Sequence, residues 1–248
     1  MSGRNVPQVL YKYYPSTGIE YALEAQTLRF SSPLIFNDVF DGRYLSGHRY
    51  AGTRQFKFRR DLGIVCLTKT ATNHLMWVHY AQGHRGFVLG FDTAHQFFQM
   101  NRPQSVSYDP VPPTLEGYAD PDLEVTLHKA LEWEYEQEWR IVRTFNQPES
   151  RDVEFPVDAL REVVLGAAME RHLQARAVDC LTELKSLNRN IELYEACPDP
   201  KTWTIGLKRS FLQRCPICRG GGVRCDVCNG SGLTHDVREV QQLQPPPR

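Results

Sequence analysis

The sequence predicts a mixed α+β fold, built on a mostly antiparallel sheet with flanking helices and followed by a small C-terminal zinc ribbon. Segments with strand character outnumber segments with helical periodicity. The two kinds do not alternate in the regular order that produces a doubly wound parallel sheet. Four of the seven cysteines fall within residues 215–228, which indicates a metal site outside the apolar core.

The first quarter of the chain is predicted to contain three strands. Residues 8–14 are aromatic and extended in character, and Ser16 and Thr17 are candidate N-caps for the helix that follows them. Residues 27–33 form a second strand that stops at a proline, and the almost wholly apolar residues 63–68 form a buried third strand.

The middle of the chain adds further elements of both kinds. Helices are predicted at 74–81, from about 121 to 132 and from about 169 to 187. Further strands are predicted at 86–91, 105–110, 138–145, 152–155, 161–166, 191–196 and 201–210. Within residues 133–140 (WEYEQEWR), a helix is expected to end near Glu134 and a strand to begin near Glu136, so that Glu138 and Arg140 share one strand face.

Composition predicts a main domain over residues 1–208, a four-cysteine module over 209–236 and a disordered tail over 237–248. The 29 basic and 29 acidic residues balance, so any preference for nucleic acid must be local. No apolar run is long enough for a membrane helix, which leads us to expect a cytoplasmic protein with no membrane partner.

The cysteine-rich stretch contains two copies of the pattern C-x-x-C-x-G-x-G. The cysteines are Cys215, Cys218, Cys225 and Cys228. Two such pairs complete the tetrahedral four-sulfur shell of a closed structural Zn²⁺ site, so one zinc ion is expected. The segment resembles the cysteine-rich region of DnaJ-type chaperones. Its expected role is to hold a module that binds protein or nucleic acid.

Residues 42–60 contain six arginines and lysines and no acidic residue, with aromatic residues interleaved. This composition suits contacts with the backbone and bases of RNA or DNA. A solvated basic loop is the equally weighted alternative.

Four blocks of sequence resemble, in the right order, a bacterial family known as domain of unknown function 2971. They are YKYY, LRFSSPLIFNDVFD, VCLTKTATNHLMWVHYAQGHRGFVLGFD and WEYEQEWRIV, and the resemblance runs from about residue 9 to residue 166. The chain departs from the family's N-D-P-F pattern at Val39. The resemblance itself implies no activity.

The order of these blocks is also similar to the ADP-ribosyltransferase fold, which implies that NAD is the cofactor. The resemblance makes Glu138 and Tyr80 catalytic candidates, with Glu136 beside them. It makes Tyr13, Thr68, Arg85, Arg140, Asn37 and Asp38 candidates for holding the cofactor. A carboxylate that grips a ribose hydroxyl would stabilise the charge that develops when nicotinamide leaves.

Structural alternatives stand beside these roles. Tyr13 and Tyr80 also suit a core, Asn37 and Asp38 also suit a turn that bonds its own backbone, and Glu138 also suits a salt bridge.

Three functions follow as hypotheses. The first is an NAD-dependent ADP-ribosyltransferase, a toxin or phage-defence effector that acts on nucleic acid or protein. The second is a non-catalytic binding protein that uses residues 42–60 and the zinc ribbon. The third is a metal-dependent nuclease in which Asp38, Asp41 and Glu138 hold a divalent ion.

Overall fold

A computed structural model describes residues 5–45, 53–55, 60–146, 150–219 and 225–235. The predicted tail at 237–248 and most of the basic stretch at 42–60 lie outside the described residues. The chain divides into two compact units. Unit 1 comprises Met1–Lys12, Thr27–Thr70 and Asp92–Phe155, and unit 2 comprises Tyr13–Gln26, Ala71–Phe91 and Pro156–Arg248. The predicted limits of the main domain and module stay predictions.

The structure has a strand in each segment where one was predicted, and it adds several short strands. They are β1 (Val9–Tyr14), β2 (Thr27–Arg29), β3 (Arg43–Leu45), β4 (Thr53–Gln55), β5 (Leu62–Thr68), β6 (Phe87–Asp92), β7 (Gln104–Ser105), β8 (Ser107–Asp109), β9 (His128–Ala130), β10 (Glu138–Thr144), β11 (Asp152–Glu154), β12 (Leu160–Leu165), β13 (Glu192–Asp199), β14 (Thr204–Arg209), β15 (Leu212–Arg214) and β16 (Leu233–His235). The added strands are β3, β4, β9, β15 and β16. Most pairings are antiparallel, which confirms the predicted mixed α+β class with a mostly antiparallel sheet.

The α-helices are α1 (His74–Tyr80), α2 (Gln96–Asn101), α3 (Pro121–Val125) and α4 (Arg171–Leu187). Short 3₁₀-helices occupy Ser16–Gly18, Pro33–Ile35, Leu131–Glu136 and Val157–Ala159, and a π-helix occupies Glu20–Glu24. Among the described helices, none is long and apolar enough to cross a membrane.

The prediction of one helix from about 121 to 132 is wrong. Helix α3 ends at Val125, because the Thr126 hydroxyl donates to the Leu123 carbonyl and closes the last turn. The chain then extends as β9 and pairs in parallel with β8, so pairing between strands overrides the local helix propensity.

Unit 1 is organised around four strands hydrogen-bonded in the order β1-β5-β10-β7. Strands β5 and β10 pair antiparallel along their whole length, with Glu138 opposite Thr68 and Ile141 opposite Val65. The nearly continuous apolar run of β5 is explained by this central position, because both of its faces are covered.

Unit 2 contains four strands hydrogen-bonded in the order β14-β13-β12-β6, in which only β12 and β13 run parallel. Helix α4 lies in the same unit and buries Val178, Leu181 and Leu184 at helical spacing. This position agrees with the predicted helix from about 169 to 187.

A left-handed turn follows α1 in unit 2. Gln82, Gly83 and His84 all have positive φ angles, which is an uncommon backbone conformation for residues other than glycine. The Ser16 hydroxyl donates to the Gln82 side chain at 2.8 Å and holds the turn. Gly86 closes it, since a Cβ at this position would lie 1.9 Å from the Tyr14 carbonyl oxygen.

Candidate functional site

The four-cysteine centre consists of Cys215, Cys218, Cys225 and Cys228. Strands β15 and β16 form an antiparallel pair next to it, with Arg214 opposite Leu233. The four Sγ atoms all lie within 4.8 Å of one another, with Cys218 and Cys228 at 3.5 Å and Cys215 and Cys225 at 3.8 Å. The four thiol groups are therefore positioned to bind one metal ion.

The backbone around the four-cysteine centre has the sharp turns that the sequence pattern requires. The Arg219 amide donates to the Cys215 carbonyl at 2.9 Å, and the Gly230 amide donates to the Cys225 carbonyl at 3.3 Å. The Gly232 amide also donates to Cys228 Sγ at 3.3 Å. An amide that donates to a thiolate stabilises its negative charge, so the surroundings fit a bound cation.

The four-cysteine centre is anchored to helix α4 within unit 2. Arg214, the residue before Cys215, forms a two-pronged ion pair with Asp179, in which Nε lies 2.5 Å from Oδ1 and Nη2 contacts Oδ2. A planar guanidinium facing a carboxylate in this way fixes geometry as well as adding attraction. The ion pair therefore ties the residue that precedes Cys215 to α4.

Unit 1 contains a buried ion-pair cluster, which is the second candidate site. Its members are Asp41, Lys129, Glu136, Glu138 and Arg140, and at most 5% of each side chain is exposed to solvent. Arg140 lies at its centre. Its guanidinium donates to both oxygens of Asp41 at 3.1 and 2.9 Å, to both oxygens of Glu138 at 2.9 and 3.1 Å, and to the Thr126 carbonyl at 2.6 Å.

Lys129 completes the cluster by contacting two carboxylates. Its ammonium lies 2.5 Å from Glu136 and 3.3 Å from Glu138. Burial alone would raise the pKa of Glu138, but the charges of Arg140 and Lys129 outweigh burial and lower that pKa to about 2. Glu138 is therefore ionised at neutral pH, and both of its oxygens are engaged by cations.

The start of β10 is held by two hydroxyl groups. The Thr68 hydroxyl is buried and donates to the Glu136 carbonyl at 2.6 Å. The Tyr108 hydroxyl accepts from the Glu138 amide at 2.7 Å, and burial raises the pKa of Tyr108. Gln137 between the two glutamates has a φ of 45°. These contacts set the direction in which the Glu138 side chain leaves the strand.

Glu138 also belongs to the lining of a polar cavity of about 400 Å³ in unit 1. The lining residues are Lys69, Ser105, Val106, Tyr108, Glu134, Tyr135, Gln137, Glu138 and Trp139. The sequence posed a choice between a salt-bridged Glu138 and a Glu138 that faces a cleft. The structure combines the two, because the carboxylate is paired while the residue borders a cavity.

The polar residues of the turn at residues 37–41 (NDVFD) lie in different environments. Asn37 is exposed, whereas Asp38 is buried and accepts from the Phe40 amide through Oδ1 at 2.8 Å. The other carboxylate oxygen of Asp38 is buried and has no hydrogen-bond partner among the described residues. Asp41 enters the buried ion-pair cluster through Arg140. Asp38 therefore bonds the backbone of its own turn, as the structural alternative expected. The cofactor roles of Asn37 and Asp38 stay predictions.

The remaining candidates lie in unit 2. Tyr13 is buried and packs edge-on against Trp77, with ring centroids 5.3 Å apart. Tyr80 is half-buried at the end of α1, and Arg85 is exposed in the turn after it. Their proposed roles beside NAD stay predictions.

The carboxylates named for the nuclease hypothesis do not gather around an open cation position. Asp41 and Glu138 both face the Arg140 guanidinium, which occupies the space between them. Three or more histidine, cysteine or acidic side chains come close enough to hold a metal ion at only one place within the described residues, the four-cysteine centre.

Sequence reasoning missed Lys129 and the Asp41–Arg140 ion pair. One signal was present for Lys129, because it is the only lysine or arginine between residues 121 and 136. A single cation among several acids predicts pairing, but it does not identify the partner. No local signal connected Asp41 with Arg140, which are 99 residues apart.

Comparison with known proteins gives a match to one family over part of the chain. No curated protein and no solved structure gives a significant match, so the resemblance to ADP-ribosyltransferases stays a prediction. One segment, residues 76–141, does match a known family. This segment runs from α1 into β10, and it includes Glu136, Glu138 and Arg140 but not the four cysteines. Residues 76–141 match the family described as "Protein of unknown function (DUF2971)", which supports the assignment of this chain to that family.

Proposed function

We propose that this chain is a zinc-dependent binding protein. One Zn²⁺ held by the four-cysteine centre would shape the C-terminal module, and that module would contact a protein or nucleic-acid partner. The observation that carries this proposal is the convergence of four Sγ atoms within 4.8 Å of one another.

The choice of zinc rests on the ligands. Soft thiolates in a tetrahedral four-sulfur arrangement are typical of zinc or iron–sulfur sites. Paired C-x-x-C motifs in a short glycine-rich segment are typical of structural zinc. Four protein ligands leave no open coordination position, so the ion would supply structure and not catalysis.

The module also exposes apolar residues suited to contact a partner. Ile217 and Val227 each directly precede the second cysteine of their pair, and they are 70% and 56% exposed. Two exposed aliphatic side chains at equivalent positions of the two cysteine pairs would supply apolar contacts to such a partner. A bound metal would fix the spacing of these side chains.

Metal analysis of the purified full chain tests this proposal. Native mass spectrometry and elemental analysis should find one zinc per chain, removed by a strong chelator and restored by adding Zn²⁺. Iron in place of zinc, or a chain that binds no metal after reduction of its thiols, would contradict the proposal.

A second candidate is ADP-ribosyl transfer from NAD, with Glu138 as the catalytic carboxylate. One observation favours it, since Glu138 is ionised and borders a cavity that Lys69, Tyr108 and Tyr135 also line. A cation beside such a cavity suits a diphosphate, and an ionised carboxylate suits the positive charge that develops on ribose. The pairing of Glu138 with Arg140 and Lys129 limits its access to a substrate.

Substitution of Glu138 tests this candidate. Glu138→Gln should abolish release of nicotinamide from NAD, because the neutral amide cannot stabilise the developing positive charge. Glu134→Gln is the matched control, since Glu134 lines the same cavity but lies outside the buried ion-pair cluster. Nicotinamide release would be measured by chromatography, and circular dichroism would establish that both variants are folded. Equal activity in the two variants, or none in the wild type, would exclude this function.

A further inference from the structure

Arg143 on β10 lies on an aromatic surface of unit 1. Its guanidinium lies 5.4 Å from the centroid of Phe30 and 5.6 Å from the centroid of Phe145. Both rings are buried, whereas Arg143 itself is exposed. Cation–π contact with two rings orders the side chain without neutralising its charge.

Two further arginines extend this surface. The Arg151 guanidinium lies 5.8 Å from the same Phe145 ring and donates to the carbonyls of Leu62 and Arg60. Arg60 is exposed next to this contact. We refer to Arg60, Arg143 and Arg151 as the basic patch.

Among the described residues, the charge of the basic patch is not balanced by ion pairs. Within the part of the chain that the structure describes, no carboxylate forms a salt bridge with any of the three arginines. The nearby Asp152 is paired with Arg29 at 2.6 Å, and Asp61 is the acidic residue adjacent to Arg60 in sequence. Arg143 and Arg151, which are ordered against aromatic rings, and the exposed Arg60 beside them add three positive charges in this part of unit 1, on a chain whose total charge is zero.

We propose that the basic patch binds the phosphodiester backbone of a nucleic acid. This inference rests on the proposed binding function, names its partner, and places a contact on unit 1 in addition to the four-cysteine module. Guanidinium groups present paired donors that match phosphate oxygens, and a group already ordered on an aromatic ring loses less entropy on binding. Arg60 also ends the acid-free stretch of residues 42–60, so the patch continues a basic segment of the sequence.

The test measures binding of the full zinc-loaded chain to fluorescently labelled single-stranded RNA and DNA oligonucleotides over a range of salt concentrations. The wild type should bind with an affinity that falls steeply with salt. Arg143→Gln and Arg60→Gln should each weaken binding about tenfold and lower the salt slope by roughly one. Arg143→Lys should retain most of the salt slope because it keeps the charge.

Arg189→Gln is the matched control, because Arg189 is an exposed arginine in unit 2, outside the basic patch. It should bind like the wild type. If Arg143→Gln and Arg60→Gln bind as tightly as the wild type, the basic patch does not bind the nucleic acid. The proposed binding function would remain intact in that case. A wild type that binds neither oligonucleotide, or that binds only vesicles containing anionic lipid, would overturn a nucleic-acid partner altogether. Zinc content, measured on the same samples, reports separately on the four-cysteine centre.

Discussion

Replacing Cys225 with serine is expected to abolish zinc binding and to unfold the module around β15 and β16. Cys225 is buried among the other three cysteines, and its loss leaves an incomplete four-sulfur shell. Structural zinc supplies an apparent binding free energy of about 10–16 kcal/mol in zinc-finger peptides at neutral pH, and that energy stabilises the folded form. Zinc content and amide hydrogen exchange of residues 212–219 and 225–235 would measure the effect.

Cys197→Ser provides the matched control for this substitution. Cys197 is exposed in β13 of the same unit and does not belong to the four-cysteine centre. This variant should keep one zinc and normal exchange protection at β15 and β16. If Cys225→Ser retained stoichiometric zinc with unchanged protection, the metal would not be held by these four thiolates.

Replacing Arg140 with methionine is expected to destabilise unit 1 by about 3–5 kcal/mol. The substitution removes the cation that contacts Asp41 and Glu138, so two buried carboxylates lose their main partner. Lys129 remains 3.3 Å from Glu138 and compensates only in part. Urea unfolding followed by circular dichroism would measure the change in the free energy of unfolding.

An exposed ion pair serves as the control for Arg140. Arg29→Met breaks the ion pair between Arg29 and Asp152, whose side chains are 55% and 34% exposed. This substitution should lower the free energy of unfolding by less than about 1 kcal/mol. A comparable loss of stability in the two variants would contradict a special role for the buried ion-pair cluster.

The cost of Arg140→Met should also depend on pH. In the wild type, the low pKa of Glu138 contributes stability above its ordinary value of 4.5, and this contribution is lost as the pH falls toward about 2. Without Arg140, burial favours the protonated carboxyl of Glu138. Lowering the pH therefore removes part of the destabilisation that the substitution causes. The difference in unfolding free energy between the two proteins should therefore be largest at neutral pH and should shrink below about pH 4.5.

Local patterns predicted the four-cysteine centre and most of the strands. The cysteine pairs are close in sequence, so their spacing alone determines that the four thiols meet. Strands β5 and β6 have apolar runs that identify them without knowledge of their neighbours in the sheet. The structure of residues 121–132 was not predicted correctly, because the helix propensity of this segment competed with pairing between β8 and β9.

The environment of Glu138 required the folded chain. The WEYEQEWR segment predicted a strand that begins near Glu136 and has Glu138 and Arg140 on one face, but the strand begins at Glu138, and Glu136 ends the preceding 3₁₀-helix. It did not reveal that Arg140 also contacts Asp41, which is 99 residues away, or that Lys129 bridges the two glutamates.

The sequence by itself determined the four clustered cysteines, the mixed α+β class and the approximate position of the strand that carries Glu138, because each depends on patterns within short segments. Only the tertiary structure decided that Glu138 is ionised, buried and paired with two cations. It also decided that Arg143 and Arg151 share one aromatic ring. Burial and charge pairing depend on residues far apart in sequence, and these interactions set the pKa and accessibility of a side chain.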